Sequence, residues 1–220
     1  MKIQKLDLLI SIYIFCIATS ELMGGKTFPL MNILGYQLNA SVAIFLIPVI
    51  YSINDVITEV YGKERTRSLI RSGILVVVLI LVFSLLATSL PPSTRFTSRE
   101  EAYDLIFTTS ARIAGASLIA FTLAEFLDVF IFARIRQGLG KSKLWLRNNA
   151  SNFLAQFVDT VVFITLAFYA FDKSLINNAN FLWSLILPYW LLKSFMSVIE
   201  TPFVYLGVNW LKDKNDNKSY

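Results

Sequence analysis

Acidic residues stand inside long apolar stretches of this sequence. Of the fifteen Asp and Glu residues, seven lie within or at the edge of such stretches: Glu21, Asp55, Glu59, Glu125, Asp128, Asp159 and Glu200. An ionised carboxylate at the centre of a bilayer costs roughly 2.5–3.5 kcal/mol on insertion scales. We therefore expect these carboxyl groups to face a polar cavity, to pair with cations or to hold protons.

Two pairs of these acids are spaced so that each pair projects from one face of a helix. Asp55 and Glu59 are four residues apart, and Glu125 and Asp128 are three apart. In surroundings of low dielectric, one member of such a pair is expected to hold a proton unless a cation compensates it. Each pair can therefore bind a cationic or proton-donating ligand.

Asp55 and Asp159 are further distinguished by uncharged polar neighbours, which indicate a binding site. The neighbours are Ser52, Asn54 and Thr58 around Asp55, and Asn152, Gln156 and Thr160 around Asp159. Arg112 and Lys193 are the basic residues within the apolar stretches. The alternative interpretation for both is a static ion pair that only holds helices together.

Several kinds of chemistry are excluded by composition. The chain contains no histidine and a single cysteine, Cys16, so it has no Ser-His catalysis, His-ligated metal or Cys-based metal site. No nucleophile–base set or phosphate-binding glycine loop is present either. We expect neither an enzyme nor a bound cofactor or metal. The net charge of +5 comes from basic residues that flank apolar runs, which argues against a nucleic-acid partner.

The elements that would hold these residues are membrane helices. The chain has 220 residues, 55% of them hydrophobic and 16% charged, a composition suited to lipid. Apolar runs of near-spanning length lie at 7–27, 39–61, 70–90, 109–133, 149–171 and 181–210. The sequence thus predicts an all-α membrane protein, a bundle of six transmembrane helices. A single integral membrane domain would cover 1–211, followed by a disordered cytoplasmic tail at 212–220.

Basic residues are distributed unequally between the predicted loops. The second and fourth connections carry nine of them, Lys63, Arg65, Arg67, Arg71, Arg134, Arg136, Lys141, Lys143 and Arg147. The positive-inside rule makes those loops cytoplasmic. Both termini would then be cytoplasmic in a multi-pass protein of the inner membrane. Such a protein could consist of two inverted halves of three helices.

Prolines and aromatic residues add two further expectations. Pro48, Pro188 and Pro202 are predicted to bend membrane helices and so to border a cavity. Tyr and Trp residues such as Tyr51 and Trp190 could stack on a flat ligand, but an aromatic belt at the membrane interface is the favoured interpretation.

Four stretches carry a resemblance to a known family. They are 54–62 (Asn-Asp-Val-Ile-Thr-Glu-Val-Tyr-Gly), the residues of 111–137 that include Arg112, Glu125, Asp128 and Arg134, the run from Asn152 through Gln156 to Asp159-Thr160, and Lys193. In this order, they resemble the queuosine precursor transporter family, also known as vitamin uptake transporters. The likeness extends over about residues 40 to 208.

The resemblance implies uptake of 7-deazaguanines, such as preQ0, preQ1 or queuine, through a six-helix protein without an attached ATPase. It places Asp55, Asp159 and Gln156 nearest the substrate, and Asn54, Glu59, Arg112, Asp128 and Lys193 in contact with it or in support. A deazaguanine offers a ring N–H and an exocyclic amine that one carboxylate can accept together. The partners are thus a deazapurine and the lipid bilayer, and the sequence is compatible with a homo-oligomer.

The leading hypothesis is a secondary transporter that binds its substrate near the bilayer midplane. Protonation of Asp55, Glu59, Asp128 or Asp159 could couple uptake to a proton gradient, and uniport is equally compatible with the sequence. The alternative is a substrate-capture subunit for a vitamin-like compound that works with a separate ATP-driven module.

Overall fold

The computed structural model describes residues 3–139 and 144–212, and within these ranges it describes all side chains except those of 125–126, 128–139, 144–152 and 196–201. The described chain is mostly helical. Its long helices are α1 (Lys5–Met23), α2 (Ile47–Tyr61), α3 (Lys63–Ser89), α4 (Glu100–Leu139), α5 (Leu144–Phe168) and α6 (Leu175–Lys212). Short 3-10 helices lie at Val42–Phe45 and Thr97–Arg99. The tail predicted to be disordered falls, from residue 213 onward, outside the described residues.

Four segments of the described chain are long and apolar enough to cross a membrane. They are Lys5–Met23, Val42–Tyr61, Lys63–Ser89 and Thr97–Ala124. In α5, the described part Phe153–Phe168 is a shorter apolar helix. The expectation of a multi-pass, helical membrane protein is therefore confirmed. At 1.5 Å per residue, α4 and α6 are about 60 Å long, twice the roughly 30 Å of a bilayer core, so part of each lies outside that core or is strongly tilted.

A β-hairpin between α1 and α2 departs from the predicted all-α class. Strand β1 (Thr27–Ile33) pairs antiparallel with β2 (Tyr36–Ser41), with an irregularity in the register between Pro29 and Met31. The turn is made by Leu34 and Gly35, both at positive φ (50° and 83°). The predicted second span, 39–61, is wrong at its start because 39–41 belong to β2. An apolar run of this length does not distinguish a strand from a helix.

The hairpin is held against α6 and the end of α1 by hydrogen bonds. The Tyr36 hydroxyl donates to the carbonyl of Asn180 at 2.7 Å, and the Asn39 amide donates to the Ser184 hydroxyl at 2.8 Å. Deeper in the protein, the Ser41 hydroxyl donates to the carbonyl of Gly24 at 2.6 Å. β2 therefore runs alongside α6 and covers it.

Three buried clusters join the helices. One joins β2, α5 and α6 around Ala40, Ile164 and Leu185, all of them fully buried. A second joins α1, α2 and α3: Tyr13, Ile53, Ile57 and Leu69. A third joins α4 to α5: Ile113, Ala116 and Ala167. The buried side chains thus lie on helix faces that meet other helices, while the outward faces remain apolar for lipid.

The three prolines lie at the start of α2 and inside α6. Pro48 is in the first turn of α2, where its missing N–H would have no helical partner in any case. Pro188 and Pro202 lie inside α6, and the helix continues through both. Gly24, in contrast, caps the C-terminus of α1, with its backbone N–H donating to the carbonyl of Ser20.

Close contacts near the two chain ends set the register of α1, α2 and α6. The Lys5 ammonium donates to the carbonyl of Trp210 at 2.9 Å. A Cβ atom added to Gly207 would lie 2.7 Å from Cγ2 of Val56 in α2. Glycine is therefore needed at 207 because only hydrogen leaves room for Val56. Measured from the Lys5–Trp210 contact along ideal helices, Glu21 and Lys193 both lie at a depth of about 25 Å.

Arg112 fixes the end of α5 to α4. Its Nε donates to the carbonyl of Leu166 at 2.7 Å and its Nη2 to that of Tyr169 at 2.6 Å. These carbonyls belong to the last turn of α5 and the residue after it, where the helix leaves acceptors without intrahelical donors. The planar guanidinium satisfies two of them together.

We expect Gly207→Ala to lower the stability of the detergent-solubilised protein by about 1–3 kcal/mol, the cost that is typical of overpacking. Thermal unfolding measures this change. Alanine favours a helix by about 1 kcal/mol over glycine, so the steric effect must overcome that gain. Gly115→Ala in α4 is the matched control, because an added Cβ there meets nothing within 4 Å. The control should be neutral or stabilising. Equal melting temperatures for both variants would contradict the close contact.

Arg112→Gln should destabilise the protein by about 1–2 kcal/mol, because the side chain then loses two charge-assisted hydrogen bonds. The expected effect is no larger because Arg112 is exposed. Thermal unfolding measures this change. Arg99→Gln, at the end of the exposed 3-10 helix Thr97–Arg99, is the control. A stability equal to that of the wild type would show that the α5 end does not need Arg112.

Candidate functional site

An ion pair inside the helix bundle joins α5 to α6. The Lys193 ammonium donates to Oδ2 of Asp159 at 2.5 Å, and the side chains are only 12% and 23% exposed, respectively. Each charge would be costly at membrane depth alone, and the partner compensates it. The structure thus brings together two of the residues that the sequence indicated, and in a direct pair.

Aromatic rings border this ion pair. The Trp190 indole, one turn before Lys193, lies 4.8 Å from the Phe153 ring and 5.0 Å from the Phe157 ring, centroid to centroid. Its Nε1 is buried, and no hydrogen-bond acceptor is found for it among the described residues. Among the described residues, the Trp190 N–H is thus left for a ligand or a water.

Gln156 and Tyr51 extend the site toward α2. Gln156 is half-buried one turn before Asp159 on α5. Tyr51 on α2 is also half-buried, and it interacts electrostatically with Lys193. The ion pair therefore lies where α5 and α6 meet the N-terminal half of α2.

Asn54 lies on the face of α2 that is directed at α1. Its side chain faces the Tyr13 hydroxyl of α1, and its Oδ1 is buried without a hydrogen-bond partner in the described part of the chain. Its backbone carbonyl accepts from the Thr58 hydroxyl, which also contacts the Thr66 hydroxyl of α3 at 2.8 Å. Asn54 thus offers one free acceptor inside the bundle.

Asp55 and Glu59 project together from α2, as their spacing predicts, but both are exposed. Neither forms an ion pair with a residue that the structure describes. They therefore take no part in the Asp159–Lys193 pair.

The remaining predicted residues lie elsewhere. Arg112 is engaged by the end of α5, as described above. The side chains of Asp128, Glu125 and Glu200 are outside the described residues. Glu21 is buried between α1 and α4, where the Ser117 hydroxyl donates to its Oε2 at 3.2 Å.

Two features of this site were not predicted from the sequence. One is the Trp190 N–H, which lacks an acceptor among the described residues, although its position three residues before Lys193 places both side chains on one face of α6. The Tyr13–Asn54 contact was missed because it joins two helices across the bundle. No group of three or more potential metal-ligating side chains occurs in the described part of the chain.

The arrangement is suited to binding a small planar polar molecule. A carboxylate held by a cation can accept from a ligand, the Trp190 N–H can donate, and aromatic faces are close by. Polar groups of this kind in a mostly apolar interior are typical of ligand sites. The Asn54 Oδ1 is a separate acceptor on the side of α2 that faces α1.

Comparison with known proteins agrees with such a binding role. The family model described as "Putative vitamin uptake transporter" matches residues 41–207. A "Probable queuosine precursor transporter" from Bacillus subtilis is 28% identical over 185 residues, 84% of this chain and 77% of the relative. The "Queuosine precursor transporter" of Escherichia coli is 27% identical over 139 residues, 63% of this chain and 59% of the relative.

A third relative, the "Probable queuosine precursor transporter" of Haemophilus influenzae, is 30% identical over 124 residues, 56% of this chain and 49% of its own length. No solved structure is significantly similar to the chain. The family model covers helices α2 to α6 apart from the C-terminal end of α6, and it includes Asp159, Lys193 and Asn54. This chain belongs to the vitamin uptake transporter family.

Proposed function

We propose that this protein imports 7-deazaguanine precursors of queuosine across the bacterial inner membrane as a secondary transporter. The observation that carries the proposal is the interior Asp159–Lys193 pair beside the Trp190 ring, in a chain whose relatives are named queuosine precursor transporters. A membrane protein keeps such charged and polar groups away from lipid mainly where they serve a pathway.

The chemistry of a deazaguanine fits these groups. Its ring N–H and exocyclic amine form a donor edge for the Asp159 carboxylate, and its carbonyl oxygen is an acceptor for Lys193 or the Trp190 N–H. Its flat face can stack on the aromatic rings of Trp190 and Phe157. If the substrate carries an aminomethyl cation, Asp55 and Glu59 on α2 supply a second negative region.

The geometry also supports a site well away from the Lys5–Trp210 end of the bundle. Lys193 lies about 25 Å from the Lys5–Trp210 end along an ideal helix. We propose that this end is cytoplasmic, because Lys63, Arg65, Arg67 and Arg71 follow α2 there. Both termini would then be cytoplasmic, and all six helices would span the membrane as one domain of two inverted halves, with the substrate exposed alternately to each side.

Cells that cannot synthesise deazaguanines are expected to take up labelled preQ0, preQ1 or queuine when they express this protein. Asp159→Asn should reduce uptake at least tenfold at equal membrane expression, because a neutral amide cannot accept the donor edge with the same strength. Asp55→Asn tests the second acidic region in the same assay. Asp172→Asn is the matched control, since Asp172 is in the exposed α5–α6 connection and pairs only with Lys173.

Failure of well-inserted wild-type protein to take up all three compounds would contradict the substrate assignment. Uptake that requires ATP and a co-purifying ATPase, and persists without an ion gradient, would contradict the secondary mechanism in favour of a capture subunit.

A double variant separates a working ion pair from a static one. Lys193→Met and Asp159→Asn should each destabilise the protein by roughly 3–5 kcal/mol, because each leaves an uncompensated buried charge. The double variant should recover much of that stability in thermal unfolding, since no charge is left unpaired. Uptake should nevertheless stay at least tenfold below wild type. Recovery of uptake together with stability would mean that the pair only holds α5 and α6 together.

A further inference from the structure

Glu21 is the one acidic side chain that the described structure classes as buried, and the binding site described above does not use it. It is 7% exposed, on the face of α1 that contacts α4. The Ser117 hydroxyl donates to its Oε2 at 3.2 Å, and two turns earlier on α4 the Ser110 hydroxyl donates to the carbonyl of Leu22 at 2.9 Å. The α1–α4 contact is therefore polar on both sides of Glu21.

No described cation faces this carboxyl group. From α4, the cation nearest in sequence to Ser117 is Arg112, and its guanidinium is directed at the carbonyls of α5. From α3, no charged or titratable residue occurs between Ser72 and Ser89, and none occurs in the 3-10 helix Val42–Phe45.

The other groups near α1 do not compensate Glu21 either. On α2, the titratable groups Asp55 and Glu59 are acidic and exposed. On α1 itself, Tyr13 and Cys16 are neutral and lie one to two turns away, and Lys26 follows the helix with an exposed side chain. The described ion pairs do not include Glu21.

An ionised carboxylate with a single hydroxyl donor is costly in such surroundings, because one hydroxyl and no described cation replace its hydration. A protonated carboxyl group carries no charge that would need such compensation. Asp159 is the opposite case, since Lys193 pairs with it directly. Asp55 and Glu59 are exposed and so lack the enclosed surroundings of Glu21.

We propose that Glu21 binds the proton that is transported together with the substrate. It takes a proton from the outer side when the α1–α4 contact is open to that side, carries it as a neutral carboxyl group when the contact is closed, and loses it as a proton to water on the inner side. Glu21 and Lys193 lie at the same depth, about 25 Å from the Lys5–Trp210 end. One rearrangement at that depth can therefore expose both the proton site and the substrate site. This inference rests on the proposed transport function.

The test uses purified full-length protein in proteoliposomes with labelled preQ1, queuine and preQ0 as probes. An inwardly directed proton gradient should stimulate uptake by the wild type at least fivefold. Glu21→Gln, which keeps the shape and the Ser117 contact, should lose that stimulation while exchange of labelled for unlabelled substrate stays within about twofold of wild type. Glu21→Asp should retain part of the stimulation. Glu64→Gln, at an exposed residue paired with Arg67, is the matched control and should behave as wild type.

Two results would overturn the assignment while leaving the transport function intact. They are gradient-stimulated uptake by a correctly folded Glu21→Gln protein, and exchange by the wild type without any effect of the gradient. If wild-type protein neither exchanges nor accumulates any probe, the proposed function fails instead.

A second measurement does not depend on the substrate. The infrared spectrum of the wild type at neutral pH should contain a carboxylic-acid C=O band that Glu21→Gln removes and Glu64→Gln keeps. A spectrum in which Glu21→Gln removes only a carboxylate band would show that Glu21 is ionised at rest and would overturn the proposal.

Discussion

The lack of water inside a bilayer is the constraint on which this structure depends, because every polar group at that depth needs a partner from the protein. The Asp159–Lys193 pair meets it by compensating charge with charge. Arg112 meets it by donating to two carbonyls at the end of α5. The Asp159–Lys193 pair thus lies between two helices, and Arg112 connects α4 to the end of α5.

Close helix contacts make this arrangement possible. Gly207 lets α6 approach Val56 of α2, and Gly73 lets α3 approach Tyr13 and Ile17 of α1. The helix α2 begins only at Ile47, and the preceding strand β2 covers α6 instead. This strand places Ala40 in the same buried cluster as Leu185. The hairpin therefore completes the packing that a longer second helix would otherwise provide, and it leaves the backbone of 39–41 paired to β1.

The interior acids differ in how their charge is accommodated, and that difference bears on transport. Asp159 pairs directly with Lys193, which suits this carboxylate to holding a substrate in place. Glu21 has only the Ser117 hydroxyl, which favours a group that gains and loses a proton. Trp190 and Asn54 have buried atoms without described partners, so a ligand with the opposite hydrogen-bonding group would be stabilised there.

The sequence by itself determined that the chain is suited to a membrane, that it is mostly helical and where most helices lie. The length of an apolar run and the charges beside it can be read from neighbouring residues. It also identified Asp159, Gln156, Lys193 and Asn54 as candidate site residues. Only the tertiary structure decided that Lys193 pairs with Asp159, that Arg112 serves a helix end, that Asp55 is exposed and that Glu21 is buried without a described cation. The hairpin was decided there as well, since β2 is stabilised by α6. These outcomes depend on which helices become neighbours, and residues far apart in sequence supply that information only when the chain is folded.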